Sequence, residues 1–588
     1  MYIEKIKSPA DVKAMPLSEL PLLADEIRHD LLEKLSEHGG HVGPNLGIVE
    51  ATIALHRVFN SPVDKFVFDT SHQSYTHKML TGRAEAFISP KHYDDVTGFS
   101  CPSESPHDHF TMGHTSTSIS LACGLAKGRD LAGGHENVIA LIGDGSLSGG
   151  EGLEGLNVAM EVGTNLIIIV NDNQMSIAEN HGGLYEGLQH LRETNGASPD
   201  NMFKAMGLDY LYVANGNDVE ALIDAFEKVK DIDHPVVVHI NTEKGRGYEP
   251  AIEHKEAFHF HAPFILATGE TRPQYVSTGE DFSDLTGKEL LSLMKSDPTV
   301  VAMTAGTPVA LGFSPERRQQ AGTQFVDVGI AEQTAVAMAS GIAKRGAKPV
   351  FGVFSSFIQR AYDQLSQDLA INGNAATIVV FLGGLAGMRD VTHLGFFDIP
   401  LIANIPGITY LAPTSKEEYL SMLRWSIAQN EGPVAVRVPC CEVISTSEDV
   451  PVDYSGKAKS VIDEQGEGIA LLGLGASFWT MKKAAALLRE RGVKATVVNP
   501  RWISSLDEEM LEGLKNGHKV VVTLEDGVLQ GGWGQNVAAF YGDSSMKVLC
   551  RGAKKKFVDR FDLDALLKEY RMTPEQIADD AEQALKNA

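Results

Sequence analysis

The sequence predicts an α/β protein made of three consecutive α/β domains, and three observations carry that expectation. At 588 residues the chain exceeds what one hydrophobic core supports. Short, continuous apolar runs alternate with helical stretches, the pattern of parallel strands covered on both faces. Two polar, turn-rich passages cut this alternation into three segments. The expected domains span residues 1–270, 285–445 and 456–588.

In the first segment ENVIALIGDGS reads as strand and turn, GGEGLEGLNVAMEVG as helix, and TNLIIIVNDNQ as the next strand, with apolar runs Val138 to Ile142 and Leu166 to Val170. PVVVHINTEKG is a further strand, and ATGETRPQYVSTGEDFSD, Ala267 to Asp284, reads as a linker. The second segment runs VVAMTAG, QFVDVG, a helix from Ala331 to Lys344, KPVFGVF, ATIVVFLGG and ITYLAPTS. The turn-rich EVISTSEDVPVDYSGKAKS leads to the third, where GIALLGLGAS, KATVVNPRW and KVVVTLEDG are strands and Phe478 to Arg491 is a helix.

Lys plus Arg number 51 against 77 Asp plus Glu, a formal net charge of -26. Such an acidic surface repels nucleic acid and anionic membrane, so neither is expected as a partner. No stretch of eighteen apolar residues occurs and the start has no apolar signal segment, which predicts a cytoplasmic protein. Cys101, Cys123, Cys440, Cys441 and Cys550 make no CxxC pair or metal spacing, as a reducing compartment would have it. Of 20 histidines, all but His393 and His518 lie at or before His261, which directs the search for proton chemistry to the first half.

Gly143-Asp144-Gly145 ends one predicted strand and Asn171-Asp172-Asn173 ends the next, with a single helix between. In a βαβ unit those ends lie side by side, at the crevice where open α/β sheets bind ligands. A carboxylate and an amide oxygen there are hard ligands for Mg²⁺ that leave room for phosphate oxygens. Gly143, Gly145 and Gly149-Gly150 admit close backbone approach, and the next helix N-terminus favours an anion. GDG alone is a common turn; the pairing with NDN makes it a candidate site.

GDGSLSGGEGLEGLN…NDNQMSIAEN resembles the thiamine-diphosphate motif of the transketolase-like enzymes, and among them the chain most resembles the 1-deoxy-D-xylulose-5-phosphate synthases. GGHVGPNLGIVE, FDTSHQSYTHKMLTGR, MGHTSTSISLACGLAKGRD, KGRGYEPA, DVGIAEQ, SSFIQRAYDQ, THLGFFDIP and NPRWISSLDEE carry the likeness nearly end to end. The resemblance implies three domains of the transketolase-like type: a diphosphate- and Mg²⁺-binding domain, a pyrimidine-binding domain and a C-terminal domain. It implies Mg²⁺ held by Asp144, Asn173 and the carbonyl of Met175, with Gly143, Gly145, Ser146, His114 and Lys244 around the diphosphate. Glu332, in GIAEQ, would bond the aminopyrimidine, and Phe357 would line the ring pocket. Read alone, Glu332 is equally a first-turn carboxylate favoured by the helix dipole, and Phe357 equally a core residue. His41, His72, His393 and Tyr362 match residues around the reacting centre. His259 and His261 compete for a further family histidine. A homodimer acting on pyruvate and an aldehyde, in isoprenoid biosynthesis, completes the expectation. The alternatives are a transketolase moving a ketol unit between sugar phosphates, and a paralogue that binds the cofactor without catalysis.

The chain departs from the family where the acceptor phosphate is bound. The family's Asp-Arg-Ala-Gly is Phe381-Leu382-Gly383-Gly384, its Tyr-Pro-Arg-Gly is Val438-Pro439-Cys440-Cys441, and Arg389 stands where an aspartate is expected. Neither leucine nor cysteine replaces the guanidinium fork that binds phosphate. Arg389 and Arg437 remain as nearby cations, and the stretch from Met175 to Gly207 is short for the family. No chemistry is expected of the third domain, with Glu525 and LQGGWGQN.

Overall fold

A first sheet is formed by β1 (Lys65–Phe68), β2 (Val138–Gly143), β3 (Leu166–Asp172), β4 (Asp209–Val213) and β5 (Pro235–Asn241), in the order β1-β2-β3-β5-β4. All its pairings are parallel, and Gly143 registers with Asn171. Every residue of β3 is buried, which is why that strand reads as an unbroken apolar run. The helix α1 (Leu20–His38) belongs to an apolar cluster of its own, whereas α2 (Ser118–Leu131) and α3 (Gly150–Val162) share one with β2 and β3. α2 and α3 come so close that a Cβ on Gly155 would stand 2.9 Å from Ile119 Cβ.

The second sheet takes β6 (Val300–Thr304), β7 (Phe325–Asp327), β8 (Lys348–Phe354), β9 (Thr377–Phe381), β10 (Thr409–Leu411) and β11 (Val434–Arg437), ordered β10-β11-β9-β8-β6-β7 and wholly parallel. The third has β12 (Val461–Glu464), β13 (Gly468–Gly473), β14 (Thr496–Asn499), β15 (His518–Val528) and β16 (Lys547–Ala553), ordered β12-β14-β13-β15-β16, with β12 alone antiparallel. The helices α4 (Glu332–Lys344) and α5 (Ser477–Glu490) lie close to the predicted bounds.

This computed structural model describes residues 2–447 and 450–588. The chain divides into two units, Met1–Ser277 with Gly329–Ala331, and Thr278–Val328 with Glu332–Ala588. The second unit carries two sheets over a shared apolar core that joins Phe351, Ile378 and Tyr410 to Leu472, Val498 and Trp533. Among the described residues no helix is long and apolar enough to cross a membrane.

Most of the strands that sequence patterning passes over, β1, β4, β12 and β16, are sheet edges, where the apolar run is short or broken by half-exposed positions. β11 is internal, but its four residues sit between prolines. The linker is shorter than expected. Asp281 caps a helix spanning Phe282–Ser296, its side chain accepting from Ser283 N at 2.7 Å. The passage 442–460 has no helix or strand among its described residues; Glu448 and Asp449 within it lie outside them.

Under the first sheet lies a buried polar chain. His56 Nε2 meets His77 Nδ1 at 2.9 Å, and His77 Nε2 meets Asp108 at 3.1 Å. Arg83 grips Asp108 at 2.7 and 2.9 Å. Burial first, then the neighbouring imidazole, pushes His56 well below the usual histidine range; burial also lowers His77, and brings His107 and His109 down to about 4. Between about pH 6.5 and 4 the unfolded chain therefore binds protons that the folded chain refuses. Stability is full above that window and falls as pH drops through it, by about 1.4 kcal/mol per pH unit for each histidine held neutral. Calorimetric melting is expected to show a clear loss of Tm between pH 7.5 and 5.5; a flat profile would contradict the buried neutral histidines.

Candidate active site

In the first unit the candidate residues lie at the carboxyl ends of β2 and β3. Because Gly143 and Asn171 are in register, Asp144 and Asn173 emerge together, as the motif spacing predicts. Asp144 accepts from Asn180 Nδ2 at 2.8 Å through Oδ2, while its buried Oδ1 has no hydrogen-bond partner. Asn173 Oδ1 is likewise buried without a partner. Burial, and then the nearby charge of Asp172, raise the Asp144 carboxyl above the usual carboxylate range. Asp172 would also be raised by its burial, but hydrogen bonds from His239 (2.9 Å) and Arg192 (2.5 Å) hold it low. These two buried oxygens without hydrogen-bond partners, one of them on a carboxyl whose charge burial disfavours, could receive a cation.

Among the described residues no group of three His, Cys, Asp or Glu side chains can hold a metal. A Mg²⁺ here would therefore be held by one carboxylate, one amide oxygen and the Met175 carbonyl, completed by oxygens of the ligand, and the residues fit a diphosphate in that sense. Gln174, between Asn173 and Met175, has φ of 64°, a left-handed conformation that turns the chain sharply after the strand. Gly145 is required where it stands, since a Cβ there would meet Ser176 at 2.8 Å. Ser146 is buried, and its carbonyl accepts from Ser116 Oγ at 2.7 Å.

That contact links the strand ends to the loop carrying His114. Asp69, just after β1, accepts from Ser116 N at 2.8 Å and Ser118 N at 3.0 Å, so a buried carboxylate pins the loop. Lys244 is buried; its Nζ donates to the Ser176 carbonyl at 2.6 Å and lies 3.2 Å from His259 Nδ1. Burial pushes the Lys244 ammonium down to about 7, against the pull of Asp144.

Three histidines converge nearby. The rings of His41 and His72 are 4.9 Å apart, those of His41 and His259 5.6 Å, and those of His72 and His259 5.2 Å. Of the two histidines that compete in the sequence, His259 joins His41 and His72, whereas His261 stacks on Phe258 at 4.6 Å and bonds the Ala262 carbonyl. His259 keeps an accessible edge yet is densely enclosed, and burial, then Lys244 and the two neighbouring imidazoles, depress it well below the usual range. It is a neutral ring at physiological pH.

Asn45 joins the loops that carry this cluster. Fully buried, its Nδ2 donates to the carbonyls of His41 and His72, both at 2.8 Å, and its Oδ1 accepts from Tyr75 N at 3.1 Å. Thr70 and Ser71, before His72, have φ of 57° and 61°, strain that such anchoring sustains. Asn45→Ala is expected to lower kcat about tenfold or more at little cost in cofactor affinity, since loosened geometry acts on the reacting groups. Steady-state kinetics beside a cofactor titration checks the split. Sequence reading passed over Asn45 and Asp69, although Asn45 lies in the quoted GPNLG motif.

In the second unit Glu332 opens α4, 3 % exposed. Its Oε2 has no hydrogen-bond partner, and Arg360 Nη1 stands 3.7 Å away. Burial raises its carboxyl although Arg360 opposes the shift. Phe357 and His393 meet edge to face at 5.7 Å, and His393 Nδ1 lies 2.8 Å from Thr392 Oγ1. Tyr362 is on the exposed face of its unit, its hydroxyl accepting from Asn404 at 3.2 Å.

Comparison with known proteins follows the same lines. A family model described as 1-deoxy-D-xylulose-5-phosphate synthase matches residues 3–198 and 193–242, a transketolase pyrimidine-binding-domain model matches 280–442, and a transketolase C-terminal-domain model matches 458–577. A 1-deoxy-D-xylulose-5-phosphate synthase of Symbiobacterium thermophilum is 38% identical over 629 residues, covering 100% of this chain and 95% of that one. A protein of Geobacter sulfurreducens named 1-deoxy-D-xylulose-5-phosphate synthase 1 is 37% identical, covering 95% and 93%. Among solved structures, a transketolase from Leishmania mexicana is similar at 16% identity and a TM-score of 0.44, over 97% of each chain.

Proposed function

Since the chain belongs to the 1-deoxy-D-xylulose-5-phosphate synthase family, we propose that it decarboxylates pyruvate and joins the remaining two-carbon unit to an aldehyde, either glyceraldehyde 3-phosphate or a relative of it. The observation that carries the reading is the pair of buried, unpartnered oxygens on Asp144 and Asn173 at adjoining, in-register strand ends. Asp144, Asn173 and the Met175 carbonyl would hold Mg²⁺ against the diphosphate of thiamine diphosphate, with Gly143, Gly145, Ser146, His114 and Lys244 lining the place. When bound, that cofactor supplies a carbon nucleophile and an electron sink for the loss of CO₂.

The chain's own residues have separable tasks in this scheme. Glu332, whose carboxyl burial raises above the usual range against the pull of Arg360, would hydrogen-bond a ring nitrogen. Phe357 and its neighbour His393 give the ring pocket an apolar wall and a polar rim. His41, His72 and His259 present imidazoles in one cluster, and rings without a permanent charge can stabilise a developing alkoxide or pass a proton. Tyr362 is assigned to the reacting centre on family likeness alone. The enzyme is proposed to act in the cytoplasm as a homodimer, which sedimentation would test.

The decisive assay supplies Mg²⁺, thiamine diphosphate, carboxyl-labelled pyruvate and an aldehyde. Labelled CO₂ released in step with aldehyde consumption supports the reading. Turnover of ketose phosphates with no CO₂ from pyruvate would replace it with a transketolase reaction.

A further inference from the structure

The acceptor end of the proposed site is walled by the carboxyl ends of neighbouring strands in the second sheet. Ser355 follows β8, Leu382 to Gly384 follow β9, and Val438 to Cys441 follow β11. Ser355 Oγ donates to the Leu382 carbonyl at 3.0 Å, and Gly384 N donates to the carbonyl of Gly395, two residues after His393. The glycine turn is thereby tied to the segments bearing Phe357 and His393.

Among the described residues no guanidinium is free in this wall. Leu382, at a position where the family has arginine, packs with the apolar cluster of Phe381, Val436 and Val438. Arg437 is buried, and all its bonds are taken by carboxylates. Its Nε and Nη2 donate to Asp398 at 2.6 and 3.1 Å, and its Nη1 donates to Asp526. Tyr410 adds a 2.6 Å bond to Asp398. Burial pushes the Cys440 thiol up to about 12 and that of Cys441 up to about 11, so neither carries charge.

Asp526 comes from β15 of the third sheet. With one oxygen on Arg437, it lays the other against Gly384, so close that a Cβ there would stand 2.1 Å from Oδ2. Its side chain keeps 18% exposure, unlike that of Asp398 at 0%. Asp390 adds a third carboxylate near His393, 3.8 Å from Nδ1. Arg389, the remaining cation of this segment, is exposed, with its backbone carbonyl bonded by Arg560 N. A phosphate dianion placed beside Gly384 would meet the carboxyl of Asp526, with that of Asp390 close to His393, while each guanidinium nitrogen of Arg437 already donates to a carboxylate. A carboxyl oxygen at the rim accepts a hydroxyl well and disfavours a dianion.

Building on the function proposed above, we propose that Asp526 makes the acceptor end a hydroxyl-accepting subsite, selecting an unphosphorylated hydroxyaldehyde over a phosphorylated one. The third domain thus supplies a specificity-determining residue.

The test compares D-glyceraldehyde with D-glyceraldehyde 3-phosphate as acceptors for labelled pyruvate in the holoenzyme. A kcat/KM at least tenfold higher for D-glyceraldehyde is expected, and a preference for the phosphorylated aldehyde overturns the subsite. Absence of CO₂ with either aldehyde strikes instead at the pyruvate reaction itself, and the subsite falls with it. Asp526→Asn is expected to raise the relative kcat/KM for the phosphorylated aldehyde about tenfold, leaving the KM for pyruvate unchanged. The variant should fold, because Asp398 still pairs Arg437, and a melting curve verifies it. If the variant lowers use of both aldehydes equally, Asp526 is structural and the specificity role is refuted.

Discussion

Glu332→Ala is expected to lower kcat for CO₂ release from pyruvate by about a hundredfold to ten-thousandfold, with a small change in the KM for the aldehyde. That range is typical of losing a positioned acid or base. The physical ground is the enclosure of Glu332: it is 3 % exposed, its Oε2 has no hydrogen bond and only Arg360 Nη1 at 3.7 Å, and burial raises its carboxyl. A purely capping carboxylate at the head of α4 would behave otherwise. Its loss would cost about 1 kcal/mol of stability and leave turnover intact. Stopped-time CO₂ assays beside melting curves separate the two, and unchanged kcat in a folded variant would remove Glu332 from the chemistry.

Asp144→Ala should show opposite effects in the free and loaded protein. With no ligand, removing a buried carboxyl whose charge is disfavoured costs little, so Tm should hold or rise. With Mg²⁺ and thiamine diphosphate together, the native protein gains stability by mass action, about 2.7 kcal/mol at a hundred times the Kd. The variant is expected to lose nearly all of that gain and to weaken cofactor binding by about a hundredfold or more, since a divalent cation loses its carboxylate. Calorimetric titration and melting with and without Mg²⁺ measure both effects. A full Mg²⁺-dependent Tm shift in the variant would place the cation elsewhere.

The parts of this protein readable along the chain are those in which neighbouring residues carry the constraint. The buried strands β2, β3 and β5 announce themselves because both faces are covered and each holds a continuous run of apolar residues. Asp144 and Asn173 could be paired from spacing alone because a crossover between adjacent parallel strands brings their ends together. The edge strand β1 escaped because it is only four residues long, and β16 because half-exposed positions dilute the pattern.

Other features required the folded chain. His259 and His261 are two residues apart with the same chemistry, and only packing sends one to His41 and His72 and the other onto Phe258. Asn45 gains its importance from two carbonyls, one of them 27 residues away in sequence. Arg437, a surviving cation in the sequence, proves to be enclosed by Asp398 and Asp526, the latter 89 residues away in another sheet. Local patterning sets which elements form, because periodicity and turn chemistry act over a few residues. Which charges remain available to a ligand depends on partners from distant elements, because a buried ionic group takes whatever counter-charge the fold brings to it.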